Sequence, residues 1–221
     1  MSTLRERLLS AGVGAVAADR ALAYWELLRE ESSRQNLTRL LEPEAFFSGH
    51  VLDVLRLREL RKGRASSQRC LDLGSGGGVP GLLSAALFED ESWTLVDAEL
   101  RKAEFLGRAV GELGLLGRVS VLHGRIEAVS GAVMAPEVAS KAVGTVEKLY
   151  GWLRTSSTWN TLYLFKGPKW EEEWAAFRAG PRKGDLRVAG ELRYETPEGA
   201  RRVIIQLQRV PRETKISRKR D

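Results

Sequence analysis

Asp72-Leu-Gly-Ser-Gly-Gly-Gly-Val-Pro-Gly81 runs out of a short apolar segment, Cys70-Leu-Asp-Leu73, straight into glycines. Such a loop lets backbone N–H groups and a ligand approach each other with no Cβ between them. The pattern carries meaning only after a strand and before a helix. Both are in place: residues 70–73 read as strand and 79–88 as helix, with Pro80 in the helix's first turn. The next strand, Trp93-Thr-Leu-Val96, ends on Asp97, 23 residues after Gly74. In open α/β sheets the ligand lies beyond the carboxyl ends of the strands. A carboxylate at Asp97 can there accept hydrogen bonds from both hydroxyls of a ribose.

Downstream, strands and helices alternate. Residues 99–113 read as helix, Val119-Ser-Val-Leu122 as strand, 138–143 as strand, 145–153 as helix, 161–165 as strand and 169–178 as helix. Alternation of this kind means a mainly parallel sheet. The last two strands, 186–188 through Tyr194 and Val203-Ile-Ile-Gln-Leu207, are joined by Pro197-Glu-Gly199 and read as an antiparallel hairpin at one edge. Upstream, Ala21, Leu22, Tyr24, Trp25, Leu27 and Leu28 repeat at helical spacing. A second helical pattern runs from Ala45 to Leu57 behind Pro43, with Asn36-Leu-Thr38 as the break between the two. The expected organisation is an N-terminal helical extension (1–67), an α/β domain (68–210) and a basic tail (211–221).

Composition bounds the function. A chain of 221 residues with 43% hydrophobic and 29% charged residues is ordinary for a globular protein. One cysteine, Cys70, excludes a disulfide framework, and two histidines leave little for a metal site, so no metal is expected. No apolar run approaches the ~18 residues of a membrane span. The N-terminus carries both signs of charge with no long apolar run behind it, so no signal peptide is read and a cytoplasmic location is expected. Net charge is +6, unevenly spread: residues 70–150 carry 7 basic and 11 acidic side chains, while residues 1–69 carry 12 and 9. Basic clusters around Arg61, Lys62 and Arg64 and in the tail suit a phosphate backbone; the alternative is a solvated face and a loose tail.

Two cofactor classes share this architecture. Gly76-x-Gly78-x-x-Gly81 fits the fingerprint of a dinucleotide-binding oxidoreductase. Against it, Asp72 precedes the first glycine by two residues, and a pyrophosphate at a helix N-terminus disfavours a neighbouring carboxylate. S-adenosylmethionine has no phosphate and carries a sulfonium and an ammonium, which an acidic loop favours.

The chain resembles the bacterial small-subunit rRNA guanine-N7 methyltransferases, also called the glucose-inhibited division protein B or methyltransferase G family, over most of residues 20–208. The marks are Asn36-Leu-Thr38, His50-x-Leu-Asp53, the Asp72–Gly81 loop with its Val-Pro-Gly ending, Asp97, Arg101-Lys-x-x-Phe-Leu106, Gly124-Arg-Ile-Glu127, Ser140-Lys-Ala142 and Lys166-Gly167. The resemblance implies a Rossmann-like class I fold with a helical extension. It implies S-adenosylmethionine as methyl donor, S-adenosylhomocysteine as product, and N7 of one guanine in 16S rRNA as target. By position, Asp72, Gly74, Gly76, Gly78 and Val79 would form the cofactor loop, Asp97 would hold the ribose, and Ile126 and Glu127 would sit at the adenine. Lys141 stands where the family usually has Arg, and Val54 where a Ser is common. Lys keeps the charge and loses the planar fork.

The chemistry agrees with a ring-nitrogen target. Guanine N7 has a lone pair and no proton, so no general base is needed. Methylation at a pyrimidine carbon needs a nucleophilic thiol, and Cys70, inside the first strand, reads as packing. Exocyclic amines are commonly served by an Asn/Asp-Pro-Pro-aromatic loop where this chain has Ser140-Lys-Ala-Val143. Lys141 is the positioning candidate, at the pocket mouth, contacting the cofactor carboxylate or a guanine phosphate. Lys166 and Arg202 are candidates for RNA contact beside Arg61, Lys62 and Arg64. His50 is expected to pack and bond Asp53 or backbone, and Trp152, Trp159, Trp170 and Trp174 to pack rather than stack on bases. The partner would be 16S rRNA in a partly assembled small subunit, bound by a monomer. Rival readings are a non-catalytic assembly factor, a nicotinamide-dependent oxidoreductase and a small-molecule methyltransferase.

Overall fold

A computed structural model describes residues 3–62, 69–129, 135–154, 156 and 158–210. Arg64, with the rest of residues 63–68, and the expected basic tail lie outside these residues. Four helical segments come first: α1 (Leu4–Ser10), α2 (Ala15–Ser32), α3 (Pro43–Phe46) and, after a π-helical turn over Phe47–Val51, α4 (Leu52–Leu60). Thr3 and Glu6 form a capping box at α1, and Pro43 occupies the first turn of α3.

The α/β part follows as β1 (Cys70–Leu73), α5 (Gly81–Leu87), β2 (Trp93–Asp97), α6 (Leu100–Glu112), β3 (Val119–His123), α7 (Ile126–Val129), β4 (Glu137–Lys141), α8 (Val146–Leu153), β5 (Thr161–Lys166), α9 (Trp170–Ala179), β6 (Leu186–Glu195) and β7 (Arg201–Arg209). The seven strands form one sheet in the order β3-β2-β1-β4-β5-β7-β6. β1 to β5 run parallel, and β7 and β6 join antiparallel beyond β5. The hairpin is thus at one edge, as its turn residues imply. The order reverses at β1, whose neighbours are β2 and β4, and this switch point opens a crevice at the carboxyl ends of the strands.

Alternation along the buried strands divides the core in two. Cys70, Ala139, Tyr163 and Ile204 face one layer, where α5 and α6 pack. Leu71, Val138, Leu162 and Ile205 face the other, against α7, α8 and α9. The N-terminal helices are part of the first layer: Tyr24, Leu28, Phe46, Val54 and Leu57 are buried together with Leu82, Leu83 and Phe105. The extension therefore has no core of its own and is fixed relative to the glycine loop.

Several boundaries differ from the sequence reading by one or two residues and the short helix α7 is additional to it; two of the differences have a local reason. Pro80 is the N-cap of α5 rather than a residue of its first turn. β4 ends at Lys141, because Ala142 takes φ 59 and turns the chain out of the sheet. A left-handed conformation is uncommon and strained for a residue with a Cβ.

Candidate active site

The loop after β1 is held by internal bonds. Gly74 and Ser75 donate their N–H groups to the Val96 carbonyl at 2.9 and 3.0 Å, and Gly78 N–H donates to the Ser75 carbonyl at 2.7 Å. Asp72, fully buried, accepts from Gly81 N–H at 2.9 Å and so fastens the start of α5 to β1. Burial pushes its carboxyl up to about 7. Tyr24 of α2 donates its hydroxyl to the Gly77 carbonyl at 2.7 Å, so the extension braces the loop from above. Gly74 has φ +74, and a Cβ there would lie 2.5 Å from Val143 Cγ2. Gly74→Ala is expected to lower the melting temperature and to weaken cofactor binding more than tenfold, since both the strain (about 1–3 kcal/mol) and the displaced Val143 act on the pocket wall; thermal denaturation and calorimetric titration check both.

Asp97 caps the other side. Its Oδ2 accepts from Gly76 N–H at 2.8 Å and its Oδ1 from Glu99 N–H at 2.9 Å. Each carboxylate oxygen has a second lone pair, and these are the acceptors left for a ligand. They belong to a pocket of about 300 Å³ whose walls include Gly74, Asp97, Ile126, Glu127, Lys141 and Trp152. A ribose on Asp97 and an adenine between Ile126, Glu127 and Trp152 fit this donor set. A dinucleotide does not. The loop N–H groups of Gly74, Ser75, Gly76, Gly78 and Gly81 are all committed to protein acceptors, two of them carboxylates. A pyrophosphate would have to displace negative charge to reach them.

A second pocket of about 220 Å³ shares Gly74, Lys141 and Ala142 with the first and is closed by Leu28, Leu37, Thr38, His50 and Val79. Here the extension contributes directly. Asp53 of α4, 1% exposed, accepts from Lys141 Nζ, Arg202 Nη1 and the Tyr194 hydroxyl, each at 2.7 Å. Lys141 also donates to the Gly49 carbonyl at 2.7 Å and to His50 Nδ1 at 3.0 Å. Its three N–H donors thus have three protein acceptors. Lys141, expected to contact a cofactor carboxylate or a phosphate, stands on the wall shared by both pockets and brings charge there with its protons engaged by protein acceptors. His50 is packed, as expected; of the two partners anticipated, Asp53 or backbone, it is the Gly49 backbone that lies against the ring, and its side-chain partners are Thr38 and Lys141. Burial, reinforced by the Lys141 charge, holds its imidazole well below the usual histidine range.

The expected RNA contacts divide. Arg61 is buried against Glu91 and Glu137, at the amino ends of β2 and β4. It is on the opposite edge of the sheet from the glycine loop and presents nothing to a phosphate. Lys62, the next residue, is exposed. Lys166 is at the correct edge but bonds Glu173 and the Gly144 carbonyl, tying the turn before α8 to α9. Arg202 reaches the site, where it serves Asp53. Cys70 is fully buried, and burial raises its thiol well above the usual range, against a nucleophilic role. Trp159 and Trp170 are core residues, and Trp152 and Trp174 pack against that core as expected, with Trp152 also on the wall of the 300 Å³ pocket. Tyr194 and the Asp53 hub had no sequence signal of their own, apart from the three-residue spacing that sets His50 and Asp53 on one helix face.

No group of three or more His, Cys, Asp or Glu among the described residues is placed to hold a metal. No helix among them is long and apolar enough to cross a membrane.

Comparison with known proteins extends this geometry. The chain is 36% identical over 189 residues to ribosomal RNA small subunit methyltransferase G of Neisseria gonorrhoeae, covering 82% of this chain and 84% of that one. It is 33% identical over 187 residues to the protein of the same name from Pseudomonas aeruginosa, covering 83% of each. The fold matches an O-methyltransferase from Bacillus cereus in complex with S-adenosylhomocysteine, with a TM-score of 0.56 and 12% identity over 85% of this chain and 91% of that one. The profile of the family described as GidB, rRNA small subunit methyltransferase G, matches residues 18–189. With the committed loop, the carboxylate at Asp97 and this match over most of its length, the chain belongs to the GidB family of S-adenosylmethionine-dependent methyltransferases.

Proposed function

We propose that this protein methylates rRNA of the small ribosomal subunit, using S-adenosylmethionine, and that the atom modified is N7 of a guanine in 16S rRNA. The observation that carries the finer reading is the lack, among the described residues, of an available base where the two pockets meet. His50 has both ring nitrogens engaged, Lys141 has all three donors engaged, and Asp53 is buried under three donors. A target that must lose a proton would be poorly served. A ring nitrogen with a free lone pair needs only alignment, which alone can contribute several kcal/mol.

The cofactor, when bound, supplies an activated methyl group on a sulfonium. Asp97 would hold the ribose through its free lone pairs, with Ile126, Glu127 and Trp152 around the adenine. Gly74 permits close approach of the ligand to the backbone. Lys141 and Arg202 against the single charge of Asp53 leave a net positive hub, suited to the polyanion that must enter. Arg201 is exposed on the wall of a groove of about 380 Å³ between the β6–β7 hairpin and the turn after β5, on the same edge as the loop, and is a better candidate for phosphate contact than Arg61. We further propose that the enzyme acts as a cytoplasmic monomer, that residues 68–210 form the transferase unit on which residues 1–67 build the target side, and that the tail grips phosphates.

The test is transfer of labelled methyl to small subunits from a strain lacking the gene, followed by chemical cleavage at 7-methylguanine. One cleavage site in 16S rRNA is the expected outcome. Label on an exocyclic amine or a pyrimidine would overturn the N7 reading. Cofactor binding without transfer would favour an assembly factor.

A further inference from the structure

Between the buried Asp53 hub and the smaller pocket there is a chain of hydrogen bonds whose direction is fixed at one end. Lys141 Nζ can only donate, and it meets Asp53 Oδ2 at 2.7 Å and His50 Nδ1 at 3.0 Å. The Gly49 carbonyl, the other group beside the ring, already accepts from Lys141 at 2.7 Å, so with Lys141 charged against Asp53 the ring's Nδ1 takes the accepting role. The neutral ring then carries its proton on Nε2, which faces Thr38 Oγ1 at 2.9 Å and must donate to it. Thr38 Oγ1 also accepts from Leu40 N–H at 3.1 Å. A hydroxyl oxygen has two lone pairs, and both are now filled. The Thr38 proton can only be offered outward, and no acceptor for it is present among the described residues. Thr38 lines the smaller pocket, beside Gly74, Ser75 and Gly77.

We propose that Thr38 is a ligand-binding residue whose hydroxyl is locked as a donor by the Asp53–Lys141–His50 relay, and that it binds an acceptor oxygen in the smaller pocket. The oxygen is either the carboxylate of the amino-acid portion of the cofactor or the carbonyl of the target purine. Both present an sp² oxygen with in-plane lone pairs to a fixed O–H. Guanine N7 itself is excluded as the acceptor, because a lone pair tied to Thr38 could not take a methyl group. His50 and Lys141 are positioning residues in this scheme: they act on the ligand through Thr38. The compact ammonium at position 141 matters here, since it meets Asp53, Gly49 and His50 at once in three directions.

The inference rests on the methyltransferase reading, and the experiment separates the two. Calorimetry of the wild-type protein with S-adenosylhomocysteine comes first; absence of binding there counts against the methyltransferase reading itself. Thr38→Val removes the donor at nearly constant shape, and Thr38→Ser restores it. Loss of one such bond corresponds to roughly tenfold. A cofactor Kd raised about tenfold in Thr38→Val and recovered in Thr38→Ser assigns the carboxylate. An unchanged cofactor Kd with kcat/KM for small subunits lowered about tenfold, again recovered in Thr38→Ser, assigns the purine carbonyl. Wild-type values for Thr38→Val in both assays, or a Thr38→Ser as impaired as Thr38→Val, overturn the proposal. An independent readout uses the chain's two histidines. In ¹⁵N spectra of the imidazoles, His50 is expected as the neutral Nε2–H tautomer, in the wild type and in Thr38→Val, which also reports an intact fold. An Nδ1–H tautomer would break the relay and the proposal with it.

Discussion

Asp97→Ala is expected to abolish measurable cofactor binding while leaving the protein folded. The carboxylate has two free lone pairs for two ribose hydroxyls, and a hydrogen bond to a charged group contributes about 1.5–3 kcal/mol. Losing two such bonds weakens affinity by roughly 10²–10⁴-fold. The same substitution strips Gly76 and Glu99 of the acceptor for their N–H groups, at 2.8 and 2.9 Å, so the loop also loses its brace. Asp97→Asn is expected to fare little better. An amide has one acceptor oxygen, and its NH₂ would be pressed against one of the two backbone donors. Titration of S-adenosylhomocysteine into each variant, with circular dichroism to show an intact fold, checks this. Binding by Asp97→Ala within threefold of wild type would falsify the assignment of the ribose to this residue.

The place of Asp97, at the end of β2 against the glycine loop, is legible in the sequence because strand, glycine loop and next strand form one local unit whose geometry is stereotyped. The same is true of the sheet: apolar runs separated by amphipathic helices give parallel pairing, and a Pro-Glu-Gly turn gives the antiparallel edge. Positions were harder where long-range pairing decides. Arg61 reads as one of a row of basic surface residues in sequence, and nothing near it in the chain reveals Glu91 and Glu137, which lie 30 and 76 residues away. Arg202 hides in the same way behind Asp53, 149 residues away, whereas Lys166 pairs with Glu173 only 7 residues on, across the turn from β5 into α9. The turn at Ala142 has no glycine to announce it, so the strand before it was read too long. His50 and Asp53 were visible as a marked pair, but that Lys141 stands between them, 91 residues on from His50, is a product of the fold. Charge in a sequence thus gives the sign of a surface only after the internal pairs have been removed from it.

Arg61 also yields the second large effect, on stability rather than binding. Its guanidinium, 7% exposed, donates through Nε and Nη2 to Glu137 Oε2 at 3.0 and 2.8 Å and through Nη1 to Glu91 Oε1 at 2.7 Å. The two acids are further tied in: Trp93 Nε1 donates to Glu91 Oε2 and the Tyr163 hydroxyl to Glu137 Oε1, both at 2.9 Å. Arg58, at the rim, reaches Glu91 at 3.1 Å. Arg61→Ala removes the guanidinium that, among the described residues, contacts both buried carboxylates. Breaking a buried pair from one side costs about 3–5 kcal/mol, because the remaining charge stays desolvated. For a chain of this size that corresponds to a fall in melting temperature of roughly 6–20 °C. Arg61→Lys is expected to fall between, since an ammonium keeps the charge but cannot face two carboxylates with a planar fork. Arg58 cannot substitute, because its second partner, Asp90, holds it at the surface at 2.6 Å. The network lies at the amino ends of the strands, so at a temperature where Arg61→Ala is still folded, its affinity for the cofactor and for rRNA should match the wild type. A loss of RNA affinity at unchanged stability would return Arg61 to the phosphate-binding surface; a loss of stability at unchanged affinity marks it as the clamp that joins α4 to the base of β2 and β4.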